Sequence, residues 1–287
     1  MTTMGAAAAA SGNVKPAHHP LGIDPRFYAP ILITFILLSG HLTMGILESP
    51  GQTLLAIATS IVCEMTLGRA AAGFWPHLSS AYITGISVGV LVRSPENWPF
   101  AVCAAISIMS KYVIRLRGRH IWNPSNFGVS FMLFMYPATI AHLSVQWGNA
   151  WWSIVMVWGL GSIIITRLKR AHICIAYAIS FLVLANVRAA ITGHPYLAEI
   201  APITGPMYQL FILYMITDPK TTPKSKMGQI AMVIVVAIVE TVFRCMPTWY
   251  PASALAQDLG IHAPFYALFC VGPSFLLTEI LSTKPAS

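Results

Sequence analysis

The chain has 287 residues, 56% of them hydrophobic and only 9% charged, with a mean hydropathy of +0.69. Soluble domains carry about 25% charged residues, so the composition excludes a soluble globular protein and assigns an all-α integral membrane protein. The net charge of +8 raises nucleic acid as a partner, but the placement of the basic residues, given below, gives them another use, and no nucleic acid is expected.

Residues 1–27 read as a disordered cytoplasmic tail. The run Ala6 to Ala10 is short and is followed by Lys15, His18 and His19, so it lacks the apolar core and cleavage site of a secretory signal. About 20 apolar residues cross a bilayer. Such runs recur at roughly 28–47, 51–68, 78–93, 98–114, 126–146, 150–166, 171–190, 200–217, 228–246 and 263–281. The connections are short, so 28–287 reads as a single transmembrane domain.

With the N-terminus inside, 14 of the 17 Lys and Arg residues fall at cytoplasmic ends, and Arg93, Arg188 and Arg244 at outer ends. The positive-inside rule gives this asymmetry, and the basic residues then face the anionic inner leaflet. Membrane lipid is the partner this implies, and a multi-pass protein of the bacterial inner (plasma) membrane the localisation.

Ten spans divide into five and five. Ile83-Thr84-Gly85 opens the third and closes at Ser94-Pro95; Ile203-Thr204-Gly205 opens the eighth and closes at Asp218-Pro219. Five crossings apart means opposite orientation. The pattern predicts two inverted five-helix repeats, about 28–146 and 150–281, an arrangement that places ligands at the repeat interface. A further Ile191-Thr192-Gly193 opens no span.

The loop from Arg115 to Gly128 holds Arg115, Arg117, Arg119, His120, Trp122, Asn123 and Pro124, an anion site in composition because arginine forks onto phosphate. Ser125 or Asn126 is the expected cap of the following helix. The segment 216–226 carries Asp218, a carboxylate at a membrane border that needs a partner, such as an imide or hydroxyl of a ligand or a loop lysine. Within spans, Glu240 and Arg244 share a helix face and are expected to pair. Glu64 has no partner near it in sequence and is the candidate ion relay. His41 and His142 have no second ligand at metal spacing, so no metal is expected. The cysteines, Cys63, Cys103, Cys174, Cys245 and Cys270, form no Cys-x-x-Cys and read as buried thiols. No phosphate-binding loop, dinucleotide fingerprint or nucleophile elbow is present, so redox chemistry would require a bound cofactor.

Three stretches together resemble the family of the D subunit of the Rnf electron-transport complex and the B subunit of the sodium-pumping NADH:quinone oxidoreductase. Ile83-Thr84-Gly85 through Pro95 and Pro99 is similar to a Thr-Gly-leading span ending in prolines. Gly118 to Pro124 is similar to a Gly-Lys-His-hydrophobic-Phe-Asn-Pro loop. Tyr214-Met215-Ile216-Thr217-Asp218-Pro219-Lys220-Thr221-Thr222-Pro223 is similar to Phe-Met-Ala-Thr-Asp-Pro-Val-Thr-Ala-Pro. The resemblance implies a urea-transporter-like fold, flavin binding (FMN or riboflavin), and a part in electron transport coupled to ion transport alongside other membrane or redox subunits. Flavin contacts map onto Thr84, Gly85, His120, Asn123, Asp218 and Thr221, with Arg117 and Arg119 on a phosphate.

One departure matters. The family carries a Ser-Gly-x-Thr motif whose threonine is esterified to FMN, whereas the matching loop here, 146–152, has no threonine, and Thr139 lies within a span. The expectation is a non-covalent flavin, with Trp147, Trp151 and Trp152 as aromatic neighbours or as an interfacial belt. The alternatives are a cofactor-free small-solute channel or transporter on the same fold, and a structural subunit of a larger membrane complex.

Overall fold

The computed structural model describes residues 28–44, 49–73, 75–142 and 151–282. The tail, the loop at 146–150 and the side chains of Trp147, Trp151 and Trp152 lie outside the described residues. The described chain is mostly helical, with four two-residue strands. Its first half runs α1 (Tyr28–Met44), α2 (Pro50–Ala72), α3 (Ser79–Leu91), β1 (Val92–Arg93), α4 (Trp98–Val113), β2 (Arg115–Leu116), β3 (Arg119–His120), α5 (Pro124–Met135) and β4 (Ala141–His142). The second half runs α6 (Trp151–Leu168), α7 (Ala171–Thr192), α8 (Tyr196–Ile200), a 3₁₀ turn (Ala201–Thr204), α9 (Pro206–Leu210), a π-helical turn (Phe211–Met215), α10 (Lys226–Trp249), α11 (Ala254–Ile261) and α12 (Ala263–Ser282).

Four helices, α2, α7, α10 and α12, are long and apolar enough to cross a membrane, and α1, α3, α4 and α6 contribute shorter apolar stretches. This is the architecture of a membrane protein. Three expected spans come out short or broken, each for a visible reason. At 78–93 the helix is α3, 13 residues long, which gives way to extended β1 ahead of Pro95. At 126–146 the helix is α5, 12 residues or about 18 Å at 1.5 Å per residue. It stops at Tyr136, because a residue preceding proline is pushed out of helical geometry. At 200–217, Pro202 and Pro206 interrupt the run, leaving the 3₁₀ turn, α9 and the π turn in series. Irregular backbone at membrane depth is tolerated only where it is buried in protein or lines a cavity.

In the first half α2 packs on α3 and α4, and α4 on α5; in the second α10 packs on α7, α11 and α12. Gly85 is the reason α2 and α3 lie so close: a Cβ there would stand 2.5 Å from the Ile57 Cα, so only a residue without one permits the crossing. The halves meet where α5 lies on α12: the Asn126 Nδ2 and Ser130 Oγ both donate to the Phe265 carbonyl, at 3.1 and 3.2 Å. Antiparallel β1 and β4 pair Val92 with His142 and Arg93 with Ala141. The two Thr-Gly pairs are not equivalent here. Thr84-Gly85 sits in mid-helix, whereas Thr204 ends the 3₁₀ turn and Gly205 precedes α9.

Candidate functional site

The N-terminal ends of α3 and α5 converge on the end of the broken 200–217 segment. The first turns of α3, the loop before α5, and the chain from the π turn to Lys220 surround a cleft of about 280 Å³. Its wall includes Ser80, Thr84, His120, Asn123, Tyr214 and Asp218, among apolar Ile33, Ile83, Leu168 and Leu213. A few polar groups on a mostly apolar concave wall is the usual composition of a small-molecule site, and the volume is near the lower end, roughly 300 Å³, of such sites.

The arginine-rich loop is a tight hairpin. Arg115 pairs with His120 and Leu116 with Arg119, leaving Arg117 and Gly118 as a two-residue turn with φ of +48° and +81°. Both central residues of such a turn need positive φ, which explains the glycine. Trp122 anchors the following stretch, donating from Nε1 to the Phe269 carbonyl at 2.8 Å and packing on Phe127 and Phe269. Asn123 then caps α5: its Oδ1 accepts from the Asn126 N–H at 3.1 Å, with Pro124 at the first helical position. The cap is therefore Asn123, in place of the expected Ser125 or Asn126.

Asn123 also bridges the halves, donating from Nδ2 to Asp218 Oδ2 at 3.2 Å. Asp218 further accepts from Thr221 Oγ1 at 3.0 Å and the Lys220 N–H at 3.1 Å. Its partners are thus an amide, a hydroxyl and a backbone N–H, not the side chain of a loop lysine. Burial pushes the His120 imidazole below its ordinary value, with the Asp218 charge acting the other way.

Of the expected contact residues, Thr84, His120, Asn123 and Asp218 line the cleft. Four others do not. Gly85 is turned to Ile57 on α2. Thr221 reaches the site only through Asp218. Arg117 donates to the Ile280 carbonyl at 2.6 Å. Arg119 pairs with Glu279 at 3.4 Å and donates to the Lys220 carbonyl at 3.2 Å. The last carbonyls of α12 are unsatisfied within the helix and carry partial negative charge, so they hold Arg117, while the Glu279 carboxylate and the Lys220 carbonyl hold Arg119.

Glu64 is not isolated. It forms an ion pair with Lys111 at 2.5 Å and accepts from the Tyr112 hydroxyl at 2.9 Å, both from α4 and both far away in sequence. Lys111, assigned by sequence to the cytoplasmic positive belt, is instead buried, and its ammonium also reaches Ser80 Oγ at 3.3 Å, on the wall of the cleft.

In the second half the expected Glu240–Arg244 pair is present at 3.0 Å, and Tyr177 and Tyr208 also donate to the Glu240 carboxylate. Arg188, placed by sequence at an outer end, is fully buried against Glu199 at 3.1 Å and Thr241 at 3.2 Å. Tyr208 belongs to α9, so this cluster fastens the broken segment to α7 and α10. His142 and His262 are hydrogen-bonded through their Nδ1 atoms at 2.6 Å. Among the described residues no group of three or more His, Cys, Asp and Glu side chains could hold a metal ion. All five cysteines are free thiols; Cys103, Cys174 and Cys245 are buried, Cys63 is partly exposed and Cys270 exposed.

Sequence reasoning missed Ser80, Lys111 and Tyr214 as parts of the site. The one signal available was the tyrosine itself, which stands where the similar motif has phenylalanine. No protein-family model matches this chain, and no curated protein matches it either.

Proposed function

We propose that this chain is a membrane subunit of the Rnf-D-like kind, built on ten spans in two inverted repeats, which holds a flavin non-covalently in the cleft and serves membrane electron transport coupled to ion movement in the bacterial plasma membrane. The observation that carries the reading is an orphaned donor. Tyr214 lines the cleft, and its hydroxyl is buried with no hydrogen-bond partner among the described residues. An unmatched buried hydroxyl costs about 1–3 kcal/mol, a cost that a ligand carrying an acceptor would remove once the Tyr214 ring turns that hydroxyl into the cleft. The hydroxyl sits on a π turn, a feature that recurs at functional sites.

The chemistry of the wall fits the ring of such a group. Ile33, Ile83 and Leu213 supply apolar faces for a flat heteroaromatic system, and Asp218, positioned by Asn123, Thr221 and the Lys220 N–H, presents a fixed acceptor to a ring N–H. A bound flavin would supply the electron-accepting centre that side chains lack. Arg117 and Arg119 are engaged at α12, which favours riboflavin, without a phosphate, over FMN. Redox or membrane partner subunits and the coupled ion belong to the same proposal.

The test is the absorbance and fluorescence spectrum of the detergent-purified protein before and after acid precipitation. Yellow colour released to the supernatant is the expected result. Colour retained in the pellet would mean covalent attachment. A colourless protein that takes up no added riboflavin would overturn the reading in favour of a solute transporter or a structural subunit.

A further inference from the structure

The hydroxyls around the cleft are not alike. Thr84 donates to the Ser80 carbonyl at 2.9 Å, Ser125 to Asn123 Oδ1 at 2.8 Å, and Thr217 to the Leu213 carbonyl at 2.8 Å. Each of these has its hydrogen engaged inside the protein. Ser80 is the reverse. Its partner is the Lys111 ammonium, 3.3 Å away, and an ammonium has three donors and no acceptor. Ser80 Oγ therefore accepts from Lys111, and its own hydrogen points elsewhere. Behind it the ammonium is fixed by Glu64 at 2.5 Å, and Glu64 in turn by Tyr112 at 2.9 Å.

Asp218 gives the complementary count. A carboxylate has about four lone-pair sites. Oδ2 accepts from Asn123 and Thr221, and Oδ1 from the Lys220 N–H alone, so Oδ1 retains one. The cleft thus holds a polarised donor from α3 and a charged acceptor from the segment after the π turn.

We infer that Ser80 is the ligand-facing donor of this cleft, set in that role by Lys111 and Glu64, and that with Asp218 it selects a ring whose edge presents a carbonyl oxygen beside an N–H. The inference deepens the flavin reading and rests on it, but it names the recognised chemistry, a cyclic imide or lactam edge, rather than the whole cofactor. It also gives Glu64 a role other than an ion relay: with Tyr112 it holds the ammonium that orients Ser80.

The experiment is a fluorescence-quenching titration of the full chain in detergent with two probes: riboflavin, and lumichrome, which keeps the carbonyl and N–H edge but lacks the ribityl chain. Ser80→Ala is expected to weaken both by tenfold or more, beyond the small fall in unfolding temperature that losing one acceptor of Lys111 brings, whereas a purely structural serine would lower stability and leave affinity in the folded protein unchanged. Lumichrome binding with that sensitivity, without riboflavin binding, would sustain the inference and overturn the flavin reading. Equal affinities in the Ser80→Ala and unaltered proteins would overturn the inference and leave the flavin reading standing. Binding of neither probe would overturn both. A ligand-free measurement tests Lys111 separately. In Ser80→Cys the introduced thiol should react with a methanethiosulfonate reagent above the background of the native cysteines, and severalfold more slowly when Glu64→Gln and Lys111→Met are added together, because a neighbouring ammonium raises the thiolate fraction. Equal rates would overturn the role given to Lys111.

Discussion

Breaking the Glu64–Lys111 pair from one side should cost far more than removing it whole. Glu64 is 5% exposed and Lys111 9%, at a separation of 2.5 Å, so solvent screening discounts the interaction little. Lys111→Met leaves a buried carboxylate whose remaining partner among the described residues is the Tyr112 hydroxyl; Glu64→Gln leaves a buried ammonium against Ser80. Losing one partner of a buried pair costs about 3–5 kcal/mol, whereas replacing both with neutral groups of similar size is often close to neutral. Each single variant should therefore lose about 3 kcal/mol or more, and the double variant about 1 kcal/mol or less. The assay is a double-mutant cycle on unfolding free energy in mixed micelles. Two single costs below about 1 kcal/mol, or a double variant equal to the sum of its parts, would refute the reasoning, because independent sites add to within about 0.5 kcal/mol.

The second half offers a parallel case: Glu240 is fully buried under Arg244, Tyr177 and Tyr208, so Glu240→Gln should cost about 3 kcal/mol or more and raise protease cleavage in the α8–α9 segment, as limited proteolysis would record. Gly85→Ala places a methyl group 2.5 Å from the Ile57 Cα and 2.9 Å from its N; backbone cannot swing aside as a side chain can, so a loss of about 1–3 kcal/mol is expected in thermal unfolding. Stability should also fall on acidification because of His120. An imidazole whose folded value lies below its ordinary 6.5 or so binds its proton less readily when folded. Its contribution is complete above about pH 6.5 and drains as pH falls from there, and His120→Gln should flatten that limb of the unfolding-temperature profile.

Hydropathy and charge placement made the membrane class legible, because each span needs its own apolar run and each loop its own basic residues, and both are local properties. The short helices were not legible, because periodicity and length do not say where a backbone turns extended. The prolines at 95, 137, 202 and 206 carried that information, and each stands beside a break. Pairing showed the same division. Glu240 and Arg244 are four apart on one helix, and sequence pairs them correctly. Glu64 and Lys111 are 47 apart on two helices, and there sequence left one as a lone acid and the other as a topology marker.

The site divides along the same line. Asp218, Asn123, His120 and Thr84 came from the family resemblance, and the fold brings all four to one cleft. Arg117 and Arg119 were picked because arginine forks onto phosphate and go elsewhere, because the C-terminal carbonyls of α12 and the carboxylate of Glu279 compete for the same guanidinium donors as a phosphate does. Chemistry alone ranks such candidates equally; only the neighbours that satisfy or orphan each group separate them. By that criterion the informative atoms of this cleft are two that the described contacts leave incomplete: the Tyr214 hydroxyl, without a partner among the described residues, and the Ser80 hydroxyl, which accepts from Lys111 and is left with a hydrogen to give.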